Sequence, residues 1–221
     1  MKALGVVLLL FLLSSCMVSE SVYLPELKPF SSAENEAITC ENAFVQEPWQ
    51  FVHSIHFEMV KGHGTTVVGV TVLDEETVKV ALMGVEGFIL FEAEQLRGTD
   101  IHVHRALPPF DKSGFAAGLM RDVQTLFVPP QGSKQLLVEG SNGIPVCRYL
   151  EEGQVTDIFL EQDSWYKINI YGIDKELSRT LIVEEFVEVD GRRLPEVFQL
   201  TSFGDLGYVL HMKLLSAERI Q

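Results

Sequence analysis

The 221-residue sequence lacks the motifs that mark several common enzyme classes. It has no glycine-rich loop of the kind that holds a phosphate, and no Gly-x-Ser-x-Gly turn that presents a nucleophilic serine. Its three cysteines include no Cys-x-x-Cys pair, so redox catalysis and a structural zinc site have no support. The sequence therefore predicts no catalytic residue, no cofactor and no metal site, and the protein is not expected to be an enzyme.

Basic residues are scarce. The chain has 17 lysines and arginines against 31 aspartates and glutamates, which gives a formal net charge of −14. Nucleic acid is not expected as a partner, because binding to phosphates depends on basic side chains. The acidic balance also argues against a protein that lies flat on anionic lipid.

The sequence contains no apolar run long enough to cross a bilayer as a helix, which takes about 20 residues. The shorter run Ala3–Leu13 follows Lys2, as in a secretory signal peptide. Leu13-Ser14-Ser15-Cys16 then resembles the signal motif of bacterial lipoproteins. That resemblance implies cleavage before Cys16, diacylglycerol on the Cys16 thiol and acylation of the new N-terminus. The alternative is an ordinary signal peptide with a chance cysteine.

The resemblance also implies a location. Met17, and not an aspartate, follows the cysteine, and by the sorting rule of diderm bacteria this implies a lipid-anchored protein on the periplasmic face of the cell outer membrane. The predicted division is a signal peptide at residues 1–15, a lipidated N-terminus and tether at 16–30, and a single domain at 31–221.

The remaining chain predicts a mainly β fold. β-branched runs separated by short polar or glycine-bearing breaks indicate an antiparallel meander. About twelve strands are predicted, five before the helix described next and seven after Pro129-Pro130. So many consecutive strands predict one large curved antiparallel sheet or a barrel.

One amphipathic helix interrupts these strands. Its apolar positions recur with the helical period and form a single stripe of Phe115, Ala116, Leu119, Met120, Val123, Leu126 and Phe127. Asp111 or Ser113 is predicted to cap its start and Pro129-Pro130 to end it, while Asp122 is assigned to its solvated face. The stripe must pack on another element, and we expect that element to be the sheet.

The strands are apolar on both faces, so either both faces are covered or one lines an apolar hollow. We expect the hollow, with the helix as a lid of low stability because it contains Gly114 and Gly118. The predicted ligand-binding residues are Val68, Val70, Phe88, Leu90, Phe115, Leu119 and Phe127.

Two cysteines and two histidines each allow two interpretations. Cys40 and Cys147 form a disulfide in an oxidising compartment, or remain two buried thiols. His102 and His104 share one strand face, where two imidazoles can bind a metal ion. We favour the simpler interpretation, that they are histidines on the less buried face of an edge strand.

The pattern of elements resembles a known family. A lipoprotein signal, an N-terminal helix and a long meander with one helical interruption are similar to the Lol-system lipoprotein carriers and receptors, the LolA/LolB type. Two local segments, Trp165–Tyr171 and Val189–Glu196, also look similar. The resemblance implies an unclosed half-barrel of about eleven strands, with one or two helices in its concave mouth. It also implies acyl chains or whole lipoproteins as partners, in lipoprotein or lipid transfer or in outer-membrane assembly. The alternative is a non-catalytic structural or protein-docking envelope lipoprotein on the same fold.

The lipid anchor is directly testable. We expect Cys16→Ser to abolish labelling by radioactive palmitate and to release the protein from the membrane fraction, because two or three acyl chains hold a protein where one cannot. Absence of palmitate label on the wild-type protein would contradict the anchor.

Overall fold

The computed structural model describes residues 21–30, 40–46, 48–59, 62, 64–96, 99–139, 143–161, 164–204 and 207–220. The predicted signal peptide, Cys16 and most of the predicted N-terminal helix lie outside these residues.

The strands are β1 Lys28–Pro29, β2 Trp49–Met59, β3 Gly64–Leu73, β4 Thr77–Met83, β5 Ile89–Leu96, β6 His102–Ala106, β7 Ser133–Glu139, β8 Ile144–Glu151, β9 Gln154–Glu161, β10 Ser164–Tyr171, β11 Leu177–Val189, β12 Arg192–Ser202 and β13 Tyr208–Arg219. The helical elements are a 3₁₀ turn, Cys40–Ala43, and helix α1, Phe115–Phe127.

All 13 strands belong to one antiparallel sheet in the order β1-β7-β8-β9-β10-β11-β12-β13-β2-β3-β4-β5-β6. The sheet is not closed, because β1 and β6 form its two free edges. This confirms the predicted class, a mainly β protein with one large open sheet. The strand missed by the sequence analysis is the two-residue β1. No helix among the described residues is long and apolar enough to cross a membrane.

The two faces of the sheet differ in burial. On β2 and β3 the buried side chains alternate with half-buried ones, and Phe51, Ile55 and Val67 lie on the inner, concave face. Val68 and Val70 alternate with these residues and lie on the outer face, where they stay half-buried. The valines of the outer face are therefore not a second core.

Helix α1 packs its apolar stripe on the concave face, with the bounds that the periodicity predicts. Met120, Val123 and Leu126 are buried, and the ring of Phe127 stacks on Phe51 with centroids 4.7 Å apart. The predicted cap is wrong. Gly114 occupies the N-cap with φ of 81°, a left-handed conformation that glycine adopts without strain, and no side chain caps the helix.

Residues 21–30 are part of the folded body, so the predicted tether is wrong for this segment. Its backbone is fixed at both ends, by pairing of Lys28 with Val138 on β7, the second strand of the sheet, and by a 2.9 Å hydrogen bond from Leu24 N to Lys175 O. Backbone hydrogen bonds of this kind hold a segment whose composition alone looks like a linker.

A buried ion pair lies beneath this segment on the outer face. Arg148 donates two hydrogen bonds of 2.7 Å to the carboxylate of Asp157, and a third of 3.1 Å to the carbonyl oxygen of Pro25. Asp157 is fully buried. Such a pair is costly to break, since removing one partner leaves the other charge unpaired. The pair thus ties residues 21–30 to strands β8 and β9.

The 3₁₀ turn covers the other side of the concave face. The structure places Cys40 beside Cys147 on β8, with Cα atoms 6.3 Å apart, a separation at which disulfides form. Phe44 stacks on Trp165 with centroids 6.3 Å apart, and Glu41 binds Lys134 Nζ at 2.9 Å. The turn is therefore held at several points, and the disulfide among them stays a prediction.

That disulfide links residues 107 positions apart. A crosslink over a loop of about 100 residues contributes about 4–5 kcal/mol in the chain-entropy model, so Cys147→Ala should lower the free energy of unfolding by several kcal/mol under oxidising conditions only. Non-reducing peptide mapping should show the linked peptide. Two thiols that alkylate freely in oxidised, unfolded protein would contradict the bond.

Candidate functional site

A hollow of about 540 Å³ opens on the concave face, between α1 and the strands β8, β9 and β10. Its lining consists of Arg121, Gln124, Thr125, Val128, Pro129, Pro130, Gln131, Glu151, Gln154, Thr156, Ile168 and Ile170. The volume lies within the roughly 300–1,000 Å³ typical of ligand sites. This hollow is the candidate site.

The floor of the hollow is apolar. Ile168 and Ile170 are successive inward-facing residues of β10, and Thr156 on β9 is the register partner of Ile170. All three side chains are buried. The floor belongs to the rigid sheet, so its shape does not depend on a ligand.

The walls of the hollow are of mixed polarity. Arg121, Gln124 and Thr125 come from the side of α1 that faces away from its apolar stripe, and Pro129 and Pro130 follow the helix. An apolar floor beneath polar groups suits an amphiphile, with its hydrocarbon on the floor and its polar end at the wall.

A buried polar cluster fixes α1 beside the hollow. The Asp122 carboxylate accepts a 2.9 Å hydrogen bond from Arg179 Nε on β11 and a short one from the Tyr208 hydroxyl on β13. Burial raises the pKa of Asp122, and both partners oppose that shift. The assignment of Asp122 to a solvated face is wrong, since the residue is only 3% exposed.

The expected hollow directly beneath α1 is not present, because side chains fill that space. Two small voids of about 30 and 20 Å³ remain there, each bordered by His53, Leu126 and Phe127. Each has room for only one or two water molecules. An acyl chain could enter there only by displacing the helix.

None of the seven residues predicted to bind ligand lines the hollow. Val68 and Val70 lie on the outer face, and Val70 borders one of the small voids together with its neighbour Gly69. Phe88 is 72% exposed in the β4–β5 turn, and Leu90 packs at the margin of the core.

The three predicted helix residues pack on the core instead. Phe115 packs edge-on against Phe91 at 5.3 Å, while Leu119 and Phe127 border the smaller voids. The residues missed by the sequence analysis, Ile168 and Ile170 above all, lie in a strand that alternates regularly. Alternation predicts their inward direction, but it does not show that a hollow lies between them and the helix.

Comparison with known proteins agrees with the architecture. An open antiparallel sheet with a helix on its concave face defines the half-barrel fold of the LolA type, and this chain has that fold. It is similar to a LolA superfamily protein from Nitrosomonas europaea, with 10% identity and a TM-score of 0.57, over 86% of this chain and 95% of that one.

A DUF1329 family protein from Desulfovibrio piger is also similar, with 11% identity and a TM-score of 0.52, over 87% of this chain and 93% of that one. No family model and no curated protein matches the sequence. The solved structures confirm the resemblance in fold.

His53 makes the packing beneath α1 sensitive to pH. Burial lowers the pKa of its imidazole from 6.5 to about 4, so the folded state favours the neutral ring. The free energy of unfolding should be constant above pH 6.5 and should fall by up to about 3 kcal/mol as the pH drops to 4. We expect His53→Leu to remove this part of the pH dependence in urea denaturation at pH 7 and pH 4.5.

The exposed His211 on β13 provides the matched control. His211→Leu should keep the wild-type difference in stability between the two pH values. An unchanged difference in His53→Leu would show that the loss of stability in acid arises elsewhere.

Proposed function

We propose that the protein binds acyl chains, carried by lipids or lipoproteins, in the hollow between α1 and β8–β10. The observation that supports this most directly is the buried apolar floor of Ile168 and Ile170 in a hollow of about 540 Å³. Each buried methylene contributes about 0.8 kcal/mol, so burial of about five to ten methylenes corresponds to binding in the millimolar to micromolar range. The role is transfer of lipid or lipoprotein, or assembly at the outer membrane.

The polar wall matches the other end of such a ligand. Arg121 lines the hollow from α1, and its guanidinium can pair with a phosphate or carboxylate group. Gln124 and Gln131 add neutral donors and acceptors. A molecule with an acyl chain and a polar head therefore uses the whole lining.

Exposed apolar turns lie at the same end of the sheet as the mouth of the hollow. The antiparallel order places the β4–β5, β8–β9, β10–β11 and β12–β13 turns at one end. Phe88, Phe203 and Ile173 are exposed in three of these turns, Ile173 by 86%. Glu151 and Gln154 flank the β8–β9 turn, and both residues line the hollow. Apolar side chains exposed in such number at one end suit contact with a membrane.

The proposed lipid anchor emerges at this end too. Leu177 N donates a 2.8 Å hydrogen bond to Val22 O, which places residue 22 beside the β10–β11 turn. Cys16 precedes Ser21 by five positions, a reach of at most about 18 Å. In this proposal residues 1–15 are a cleaved signal peptide, residues 16–20 connect the lipid to the body, and the protein sits on the periplasmic face of the outer membrane.

The second candidate function is protein docking without a lipid ligand. The packing beneath α1 favours protein docking, because the described side chains there leave only the two small voids and no space for an acyl chain. The hollow beside α1 favours lipid binding, and ligand titration separates the two candidates.

We expect Thr156→Trp to fill the hollow and to weaken saturable binding of a fluorescent palmitate analogue. Exclusion of about two methylenes from the floor corresponds to roughly a tenfold rise in Kd. The measurement is a fluorescence titration of the purified protein.

Val68→Trp is the matched control, since it adds the same side chain to a strand position on the outer face. Its Kd should equal that of the wild type. If the wild-type protein shows no saturable binding, the docking function stands in place of lipid binding.

A further inference from the structure

Three potential metal ligands meet on the outer face of the edge strand β6. His102 is the register partner of Glu94 on β5, and His104 follows at the next position on the same face. The two strands shift register by a bulge at Glu92 and Ala93. A bulge redirects neighbouring side chains, and here it accompanies the approach of His104 to Glu94.

Two distances within this cluster match those expected between the ligands of one ion. His102 Nδ1 lies 3.5 Å from His104 Nε2, which lies 3.3 Å from Glu94 Oε1. Good hydrogen bonds of these kinds measure about 2.7–3.2 Å. Tetrahedral Zn²⁺ with ligands at about 2.0–2.1 Å has ligand atoms roughly 3.3–3.4 Å apart. The three side chains thus stand near the corners of a zinc site.

We propose that Glu94, His102 and His104 bind a divalent ion of the imidazole-preferring class, Zn²⁺ first and Cu²⁺ or Ni²⁺ next. Two imidazole nitrogens and one carboxylate oxygen form a donor set that zinc proteins use, and it leaves the fourth position to water. The ligand atoms lie within 4.8 Å of one another, so a small adjustment of exposed side chains completes the site.

The location shows what kind of site this is. Both histidines are exposed, Glu94 is half-buried, and none of the three lines the hollow. The three residues lie outside the hollow, so the proposal concerns metal binding and not a reaction. The ion would instead join β6, a free edge of the sheet, to its single neighbouring strand.

The experiment is a calorimetric titration of the purified, oxidised protein with Zn²⁺, supported by Co²⁺ absorption to report coordination geometry. We expect one equivalent of Zn²⁺ per chain and a tetrahedral Co²⁺ spectrum. His102→Gln and His104→Gln should each weaken Zn²⁺ binding by at least about 10–100-fold. Substitution of residues that merely support the ligands already lowers metal affinity by this much. All of these positions are at the surface, so circular dichroism should show no change in fold.

Two further variants make the test specific. His211→Gln removes an exposed histidine on β13 that lies 6.5 Å from His56, ring to ring, and it should leave Zn²⁺ affinity unchanged. Lys79 on β4 is the partner of Glu94 on the other side, so Lys79→Gln should raise affinity roughly threefold by removing a nearby positive charge. Absence of saturable Zn²⁺ binding, or binding that survives loss of both His102 and His104, would overturn the site.

Discussion

The fold depends on one topological constraint: the chain must cross the concave face between β6 and β7. These consecutive strands lie on opposite sides of the open sheet, with β6 at one edge and β7 next to the other. Helix α1 lies in that crossing, and its apolar stripe covers the strands around β2. A single helix of 13 residues is too short to cover the strands around β2 and also the strands on the other side of the sheet. Among the described residues, the space between α1 and the inner side of β8–β10 is therefore a consequence of the connection, although the Cys40–Ala43 turn covers part of that side.

The polar cluster at Asp122 fixes the position of α1, and it therefore determines whether the space beside the helix is a permanent hollow. Breaking a buried ion pair by removing one partner costs about 3–5 kcal/mol. Asp122 binds Arg179 and Tyr208, which lie on different strands, so α1 can neither roll nor shift without losing both contacts. A ligand of the proposed kind would therefore enter a preformed space, and little of its binding energy would be spent on ordering the protein.

Local patterns predicted the elements, and long-range packing decided the site. The period of the stripe from Phe115 to Phe127 gave the helix, and polar breaks gave the strands, because both signals are local. Val68 and Val70 were placed on the wrong face because β3 is apolar on both faces, and alternation then cannot tell inside from outside. Asp122 finds Arg179 57 residues away, and Glu94 meets His102 only through the register of β5 and β6. Pairings between residues so far apart leave no periodic pattern in the sequence.

If the protein carries the proposed lipid anchor, the orientation of its body at the membrane follows from how residues 21–30 are held. A free tether would let the protein turn in any direction on its anchor, and the position of the hollow would then have no meaning for transfer. Here Val22 is hydrogen-bonded beside the β10–β11 turn, and Pro25 accepts a hydrogen bond from Arg148, which Asp157 holds in place. The acyl anchor proposed on Cys16 would therefore draw the exposed Ile173 and the mouth of the hollow toward the same surface. In the proposed function, the buried ion pair on the outer face would thus help to set the direction in which the hollow opens relative to the membrane.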